Sequence, residues 1–198
     1  MASSNLSSIL LLIAAGSVAA AQSPAQLDGN APFDISARST SLDYGANVLI
    51  FHDVVISQND VHIEASEARA SGDMYENSEW QLSGGVHIRA EGGRLESRDA
   101  KVRIVGRRVA SASISGTPAQ FEQQLRDRSQ LARGRANRIE YDLANGAIRL
   151  AGDAWLTDGR NEISGRELIY DLRAQRVNAN AQDADDRVRI TIRPESKP

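Results

Sequence analysis

Trp80-Gln81-Leu82-Ser83-Gly84-Gly85-Val86-His87-Ile88 alternates apolar residues with polar or small ones around a central glycine pair. Period two marks a strand with one buried face and one exposed face. Related nine-residue units stand at Val48–Ile56, Ala112–Gln120 and Ile148–Leu156. Their centres fall at 52, 84, 116 and 152, giving spacings of 32, 32 and 36. Of the 16 outer positions in these units 14 are apolar, against 6 of the 16 that intervene, so one face of each unit is selected for burial.

Outward from the units, apolar residues return at a constant interval. Ile63, Leu95 and Ile163 each follow the end of a unit by seven residues. The gaps hold Gln58-Asn59-Asp60, Gly92-Gly93 and Asp158-Gly159, and Asn145-Gly146 separates Tyr141 from Ile148. Asp-Gly, Asn-Gly and Gly-Gly supply the positive φ angles of tight hairpins. The units therefore predict runs of antiparallel hairpins. In the third unit the return strand comes late, after residues 122–135, and a long hairpin with Arg126, Asp127 and Arg128 at its tip is expected. Gly84, Gly116 and Gly152 sit where strands bend or backbones approach, and His52 holds that place in the first unit. Hairpin repeats of this length stack into a solenoid or an elongated jelly roll.

The chain has 198 residues, 41% hydrophobic and 25% charged, with net charge −3. That suits a folded domain rather than a disordered chain, and it lacks the basic excess of a nucleic-acid binder. With no cysteine, disulfide scaffolds, thiol catalysis and a lipoprotein anchor are removed together. Residues 9–18 read ILLLIAAGSV, followed by Ala19-Ala20-Ala21. A spanning helix needs about 20 apolar residues, so this run predicts a cleaved signal peptide over 1–21. A flexible polar lead (22–32), one β domain (33–194) and a short tail (195–198) should follow. The mature protein is expected outside the cytoplasm.

No G-x-S-x-G elbow, H-E-x-x-H pair or phosphate loop is present, so no catalytic residues are assigned. His52, His62 and His87 are too scattered for a metal site, and no cofactor is implied. Asp183, Asp185 and Asp186 read as a solvated turn.

Two segments carry a family resemblance. Arg135-Ala136-Asn137-Arg138-Ile139-Glu140-Tyr141-Asp142 runs into the fourth unit, and Asn161-Glu162-Ile163-Ser164-Gly165-Arg166-Glu167-Leu168-Ile169-Tyr170-Asp171 follows it. This stretch resembles the OstA-like, LptA-type family of periplasmic lipopolysaccharide-transport proteins. Ser115-Gly116-Thr117-Pro118-Ala119-Gln120-Phe121 is similar to the turn that precedes it. The resemblance implies an all-β fold: an elongated, twisted antiparallel β-jelly roll of about sixteen short strands, open like a half-closed book. It implies a periplasmic bridge that binds lipopolysaccharide and does no chemistry. It further implies end-to-end self-association and docking to an LptC-like inner-membrane protein and an LptD-like outer-membrane translocon.

Lipopolysaccharide has several acyl chains and a phosphorylated sugar head, so moving it through water requires continuous apolar shelter. The alternating face nominates Val48, Ile50, Val54, Ile56, Ile63, Leu82, Val86, Ile88, Leu95, Ile114, Ile148, Leu150, Leu156 and Ile163 as an acyl-chain trough. The arginines at 94, 98, 103, 107 and 108 are interleaved with Glu91, Glu96 and Asp99 and read as a solvated outer face. The segment Arg187–Arg193 ends the strand pattern, and its Val188, Ile190 and Ile192 form a candidate edge for strand addition by a partner. A sealed, secreted β-solenoid of structural or adhesive role is the competing expectation. A glycan-active β-helix is a further one, weakened by the lack of a repeated acidic cluster.

Overall fold

The computed structural model describes residue 32 and residues 34–73, 76–90, 93–124, 131–142, 145–171, 174, 176–180 and 187–193. The expected signal segment, most of the polar lead, the tip at 126–128, the acidic turn and the tail lie outside the described residues.

Eleven strands follow one another: β1 (Asp34–Asp43), β2 (Val48–Gln58), β3 (Val61–Asp73), β4 (Asn77–Ala90), β5 (Gly93–Val105), β6 (Arg108–Gln124), β7 (Leu131–Asp142), β8 (Ala147–Thr157), β9 (Glu162–Asp171), β10 (Arg176–Asn180) and β11 (Arg189–Thr191). β1 to β10 pair in chain order within one sheet, and β11 pairs with β9. Every pairing is antiparallel, so the molecule is a meander and not a stack of parallel coils. The seven-residue interval of the sequence is the hairpin itself. Ile56 faces Ile63, Ile88 faces Leu95 and Leu156 faces Ile163. The turns use left-handed backbone at residues that accept it, Asn59 (φ 50°), Gly106 (57°), Gly146 (69°) and Gly159 (88°), and Arg107 beside Gly106 takes it too (65°). The third unit returns as a long hairpin, with Gln124 opposite Leu131.

Each long strand bends near its middle, and the bends line up across the sheet. Gly84-Gly85 of β4 opposes the single residue Arg98, and Gly152-Asp153 of β8 opposes Arg166. In β6, residues 116–118 oppose Asn137. These are bulges, which bend a strand without ending its ladder. The ladder therefore continues through each bend, and the expected sixteen short strands are eleven longer ones among the described residues. Gly84 is required at its bend for two reasons. Its φ is +81°, and a Cβ there would stand 2.6 Å from the Cβ of Ser66, whose hydroxyl donates to the Gly84 carbonyl at 2.6 Å.

The bend line divides the sheet into two arms. Residues on one face of both arms are buried within a single hydrophobic cluster. One layer of sheet cannot bury its own side chains from both sides. The facing layer is the other arm, folded over at the bends.

The bends also set which residues face inward. In β2, Asp53 adopts φ +48°, and the inward positions change from odd to even across it. Leu49 and Phe51 pack inward before it, Val54 and Ile56 after it. Val48 and Ile50, expected inside, therefore lie on the outer face, where Ile50 pairs with Ser41 and Arg69 and Val48 with Ser71. The same switch in β6 turns Pro118 and Gln120 outward and Ala119 and Phe121 inward. Those two outward residues are the two exceptions to the apolar pattern in the sequence.

Candidate lipid-binding interior

The inner face is organised in rungs that cross the strands. One rung runs Ile35, Ile56, Ile63, Ile88, Leu95, Phe121, Gly134, Leu156, Ile163 and Ile190, each residue the Cα partner of the next. Gly134 is the one break in its side chains, and the Phe121 ring fills it: a Cβ on Gly134 would lie 2.3 Å from that ring. A second rung crosses the other arm through Phe51, Ala68, Leu82, Ala100, Ile114, Ile139, Leu150 and Leu168. Beyond it lies a third, Leu49, Ala70, Trp80, Val102, Ala112, Tyr141, Ile148, Tyr170 and Val177. Phe51 and Trp80 stack with centroids 6.1 Å apart and planes 8° apart. The Trp80 indole N–H donates to Ser78 Oγ at 3.2 Å.

Burial deepens toward the bends. Val86, Ala119 and Ala136 are 0% exposed there, and Val54 and Ala154 only 1%. At the margin of one arm Ile63, Ile88 and Phe121 are half-buried, and at the margin of the other so are Leu49, Val102 and Val177. The interior is thus a wedge, tight along the bend line and looser at its two lips. Alanine is common in it: Ala65, Ala68 and Ala70 on β3 and Ala100 on β5. Short side chains let the arms approach closely without specific interlocking.

Twelve of the fourteen nominated trough residues belong to this interior: Val54, Ile56, Ile63, Leu82, Val86, Ile88, Leu95, Ile114, Ile148, Leu150, Leu156 and Ile163. Val48 and Ile50 do not. Phe51, Trp80, Phe121, Ile139, Leu168 and Tyr170 were not nominated. Ile139 and Tyr141 alternate in β7, as Leu168 and Tyr170 do in β9, so the return strands carried the same period-two signal.

The outer face is ionic. Arg89 bridges to Glu64 at 2.6 Å, Lys101 to Glu79 at 2.8 Å, and Glu122 accepts from Arg94 and Arg133, both at 2.9 Å. Arg98 is 2.7 Å from Asp99, so two of the five clustered arginines are engaged by carboxylates as a solvated face requires. Hydrogen bonds from Arg69 and from Lys101 hold the carboxyls of Glu67 and Glu79 below the usual carboxylate range. Arg149 joins Glu167 and Glu140, and the Glu167 hydrogen bond raises its guanidinium pKa. All three histidines sit outside. His62 Nδ1 is 3.1 Å from Ser57 Oγ, His52 is 3.8 Å from Glu67, and His87 is exposed.

Among the described residues two hydroxyls inside lack any hydrogen-bond partner, Ser97 Oγ and Tyr170 OH. Burial raises the Tyr170 phenol, helped by the charge of Asp171, and burial alone pushes Tyr141 up to about 12. Both tyrosines are neutral across the physiological range, so the interior carries no charge on its third rung.

At the C-terminal end β10 pairs with residues 167–171 of β9, and β11 with residues 162–164. Arg193 secures β11 by an ion pair to Glu162 at 2.8 Å and a hydrogen bond to the Arg160 carbonyl at 3.1 Å. Val188 packs against the core, whereas Ile190 and Ile192 are 52% and 63% exposed.

Residues 34–176 match the family described as LptA/(LptD N-terminal domain) LPS transport protein. The chain belongs to this LPS transport family. The matched span runs from β1 to the first residue of β10, so the family's region coincides with the folded sheet. The chain is 29% identical over 154 residues to the lipopolysaccharide export system protein LptA of Haemophilus influenzae, covering 77% of this chain and 72% of that one. It is 26% identical over 189 residues to LptA of Escherichia coli K12, covering 93% and 85% respectively. Among solved structures, LptH of Pseudomonas aeruginosa, titled the LptA homologous periplasmic component of a lipopolysaccharide transport device, overlays 85% of this chain and 99% of its own. The TM-score is 0.44, at 18% identity.

Proposed function

We propose that this protein carries lipopolysaccharide across the periplasm, sheltering the acyl chains between the two arms of its folded sheet. The observation that supports this most directly is the apolar rung from Ile35 to Ile190, which crosses ten strands with no charged or polar side chain. A ligand moving along such a rung keeps its chains out of water at every step. Each methylene so sheltered contributes about 0.8 kcal/mol. Aliphatic and alanine side chains impose no single pose, which suits passage rather than storage. The chains enter by parting the arms at the lips, where Ile63, Ile88 and Phe121 are half-buried. Twelve of the nominated residues line this path, with Leu49 and Phe51 in place of Val48 and Ile50.

The ends of the sheet are the docking sites. Among the described residues β1 pairs only with β2, so its other edge offers unpaired backbone there, and β11 offers Ile190 and Ile192 at the opposite end. Strand addition there joins a second copy of this chain, an LptC-like protein or an LptD-like translocon. Export by a cleaved signal peptide places the chain in the periplasm.

Photocrosslinking tests the reading. A photoreactive residue at Leu82, Leu95, Ile114 or Leu150 should capture lipopolysaccharide, while Ile50 and Arg103 on the outer face should not. A folded protein with no adducts at the four inner sites has a sealed core, and the transport reading falls. For the joints, Ile190→Pro removes a backbone donor from β11 and should reduce end-to-end assembly by light scattering. Unchanged assembly would exclude that edge.

A further inference from the structure

The Tyr170 hydroxyl is an anomaly in the interior just described. Tyr170 is 2% exposed and stands on the third rung between Ile148 and Val177, two aliphatic neighbours with nothing to accept its proton. Its oxygen has no hydrogen-bond partner among the described residues. Buried polar groups are nearly always satisfied, and an orphan calls for a reason. Phenylalanine would fill the same space without leaving a donor unpaired. A phenol retained there has its donor free for something that enters the wedge.

We infer that Tyr170 OH donates a hydrogen bond to an acyl carbonyl of bound lipopolysaccharide, marking how deep the chains seat. This rests on the lipopolysaccharide reading above. Acyl chains join their sugar through ester and amide linkages, whose carbonyl oxygens are strong acceptors at the head-group end of an apolar chain. The third rung is the outermost complete rung of its arm, next to the lip. A chain inserted toward the bend line therefore leaves its carbonyl near this rung and its methylenes against Leu150 and Leu168 on the second. Burial keeps the phenol protonated well past neutrality, so the donor is always armed. The other orphan, Ser97 Oγ, pairs across to fully buried Val86 beside the bends, where only methylenes would reach it.

The test is Tyr170→Phe, which removes the hydroxyl and nothing else. Binding of purified lipopolysaccharide and of dodecyl maltoside, an amphiphile with an alkyl chain and no carbonyl, is measured on wild type and variant. We expect lipopolysaccharide affinity to fall about two- to tenfold, the range of one net hydrogen bond. Dodecyl maltoside affinity should not change, and the thermal midpoint should hold or rise. The ester carbonyl stretch of bound lipopolysaccharide should lie at lower frequency in wild type than in the variant. Equal lipopolysaccharide affinity in the two proteins, or an equal loss for both ligands, overturns the inference. A wild type that binds neither amphiphile overturns the transport reading instead, which is a separate result.

Discussion

Val54 and Val55 are neighbours in β2, yet one is 1% exposed and the other 39%. Val54 stands opposite Ala65 inside the wedge, and Val55 opposite Glu64 on the ionic outer face. The two faces of this one sheet do different work. The inner face holds the arms together by burial and contains no ion pair among the described residues. The outer face is laced with Arg–Glu pairs that are mostly solvated, and such pairs contribute little. A face built for stability through dispersed burial is also the face that an acyl chain can share, because neither use depends on one directed contact.

The sharpest way to break the comparison is to place one charge on either side of it. Val54→Asp leaves an unpaired carboxylate in the apolar interior and should cost more than about 4 kcal/mol, abolishing the cooperative thermal transition seen by circular dichroism. Val55→Asp, one residue away, should shift stability by about 0.5 kcal/mol or less. Similar effects of the two would mean that the arms are not closed over Val54.

A steric change on the inner face comes next. Gly134→Val drives a Cβ into the Phe121 ring and should destabilise by about 1–3 kcal/mol in urea denaturation. Adding Phe121→Ala should recover part of that loss, since the two residues share one space. A purely additive double variant would show that the gap at Gly134 is not what Phe121 fills.

On the outer face, Arg89→Ala removes the bridge to Glu64, in which both side chains are well exposed. The expected loss is under about 1 kcal/mol and should vanish in high salt.

The smallest effect concerns the C-terminal joint. The Glu162 carboxyl is held below its ordinary range first by the Arg193 hydrogen bond and then by the Trp155 indole N–H. A group whose pKa is depressed on folding stabilises fully above its unfolded pKa and loses that contribution as pH falls through its folded value. Docking of β11 should therefore hold at neutral pH and loosen below the usual carboxylate range. Tryptophan emission titrated from neutral to acid should report it, and Glu162→Gln should flatten that part of the curve. A wild-type curve matching the variant would remove Glu162 as the clasp.

Much of this is legible in the sequence. Ile56, Ile88 and Leu156 announced their cross-strand partners by a constant interval, because a two-residue-period strand and a tight turn leave no freedom in register. Gly84 and Gly152 announced bends because few other residues accept their backbone. What period two could not show is where its own phase changes. Asp53 adopts a left-handed backbone that its sequence context does not advertise, so Val48 and Ile50 looked inward when Leu49 and Phe51 are. The same blindness made Pro118 and Gln120 look like failures of a rule that Ala119 and Phe121 obey.

Composition, alternation and turn chemistry thus determined by themselves that this chain is built of antiparallel hairpins with one greasy face. These are local properties, written in neighbouring residues. Only the tertiary structure decided that the sheet folds on itself along its aligned bulges, which residues that folding encloses, and that Tyr170 is left with an unanswered hydroxyl inside. Those depend on how bends in separate strands add up across the sheet, and no single strand carries that sum.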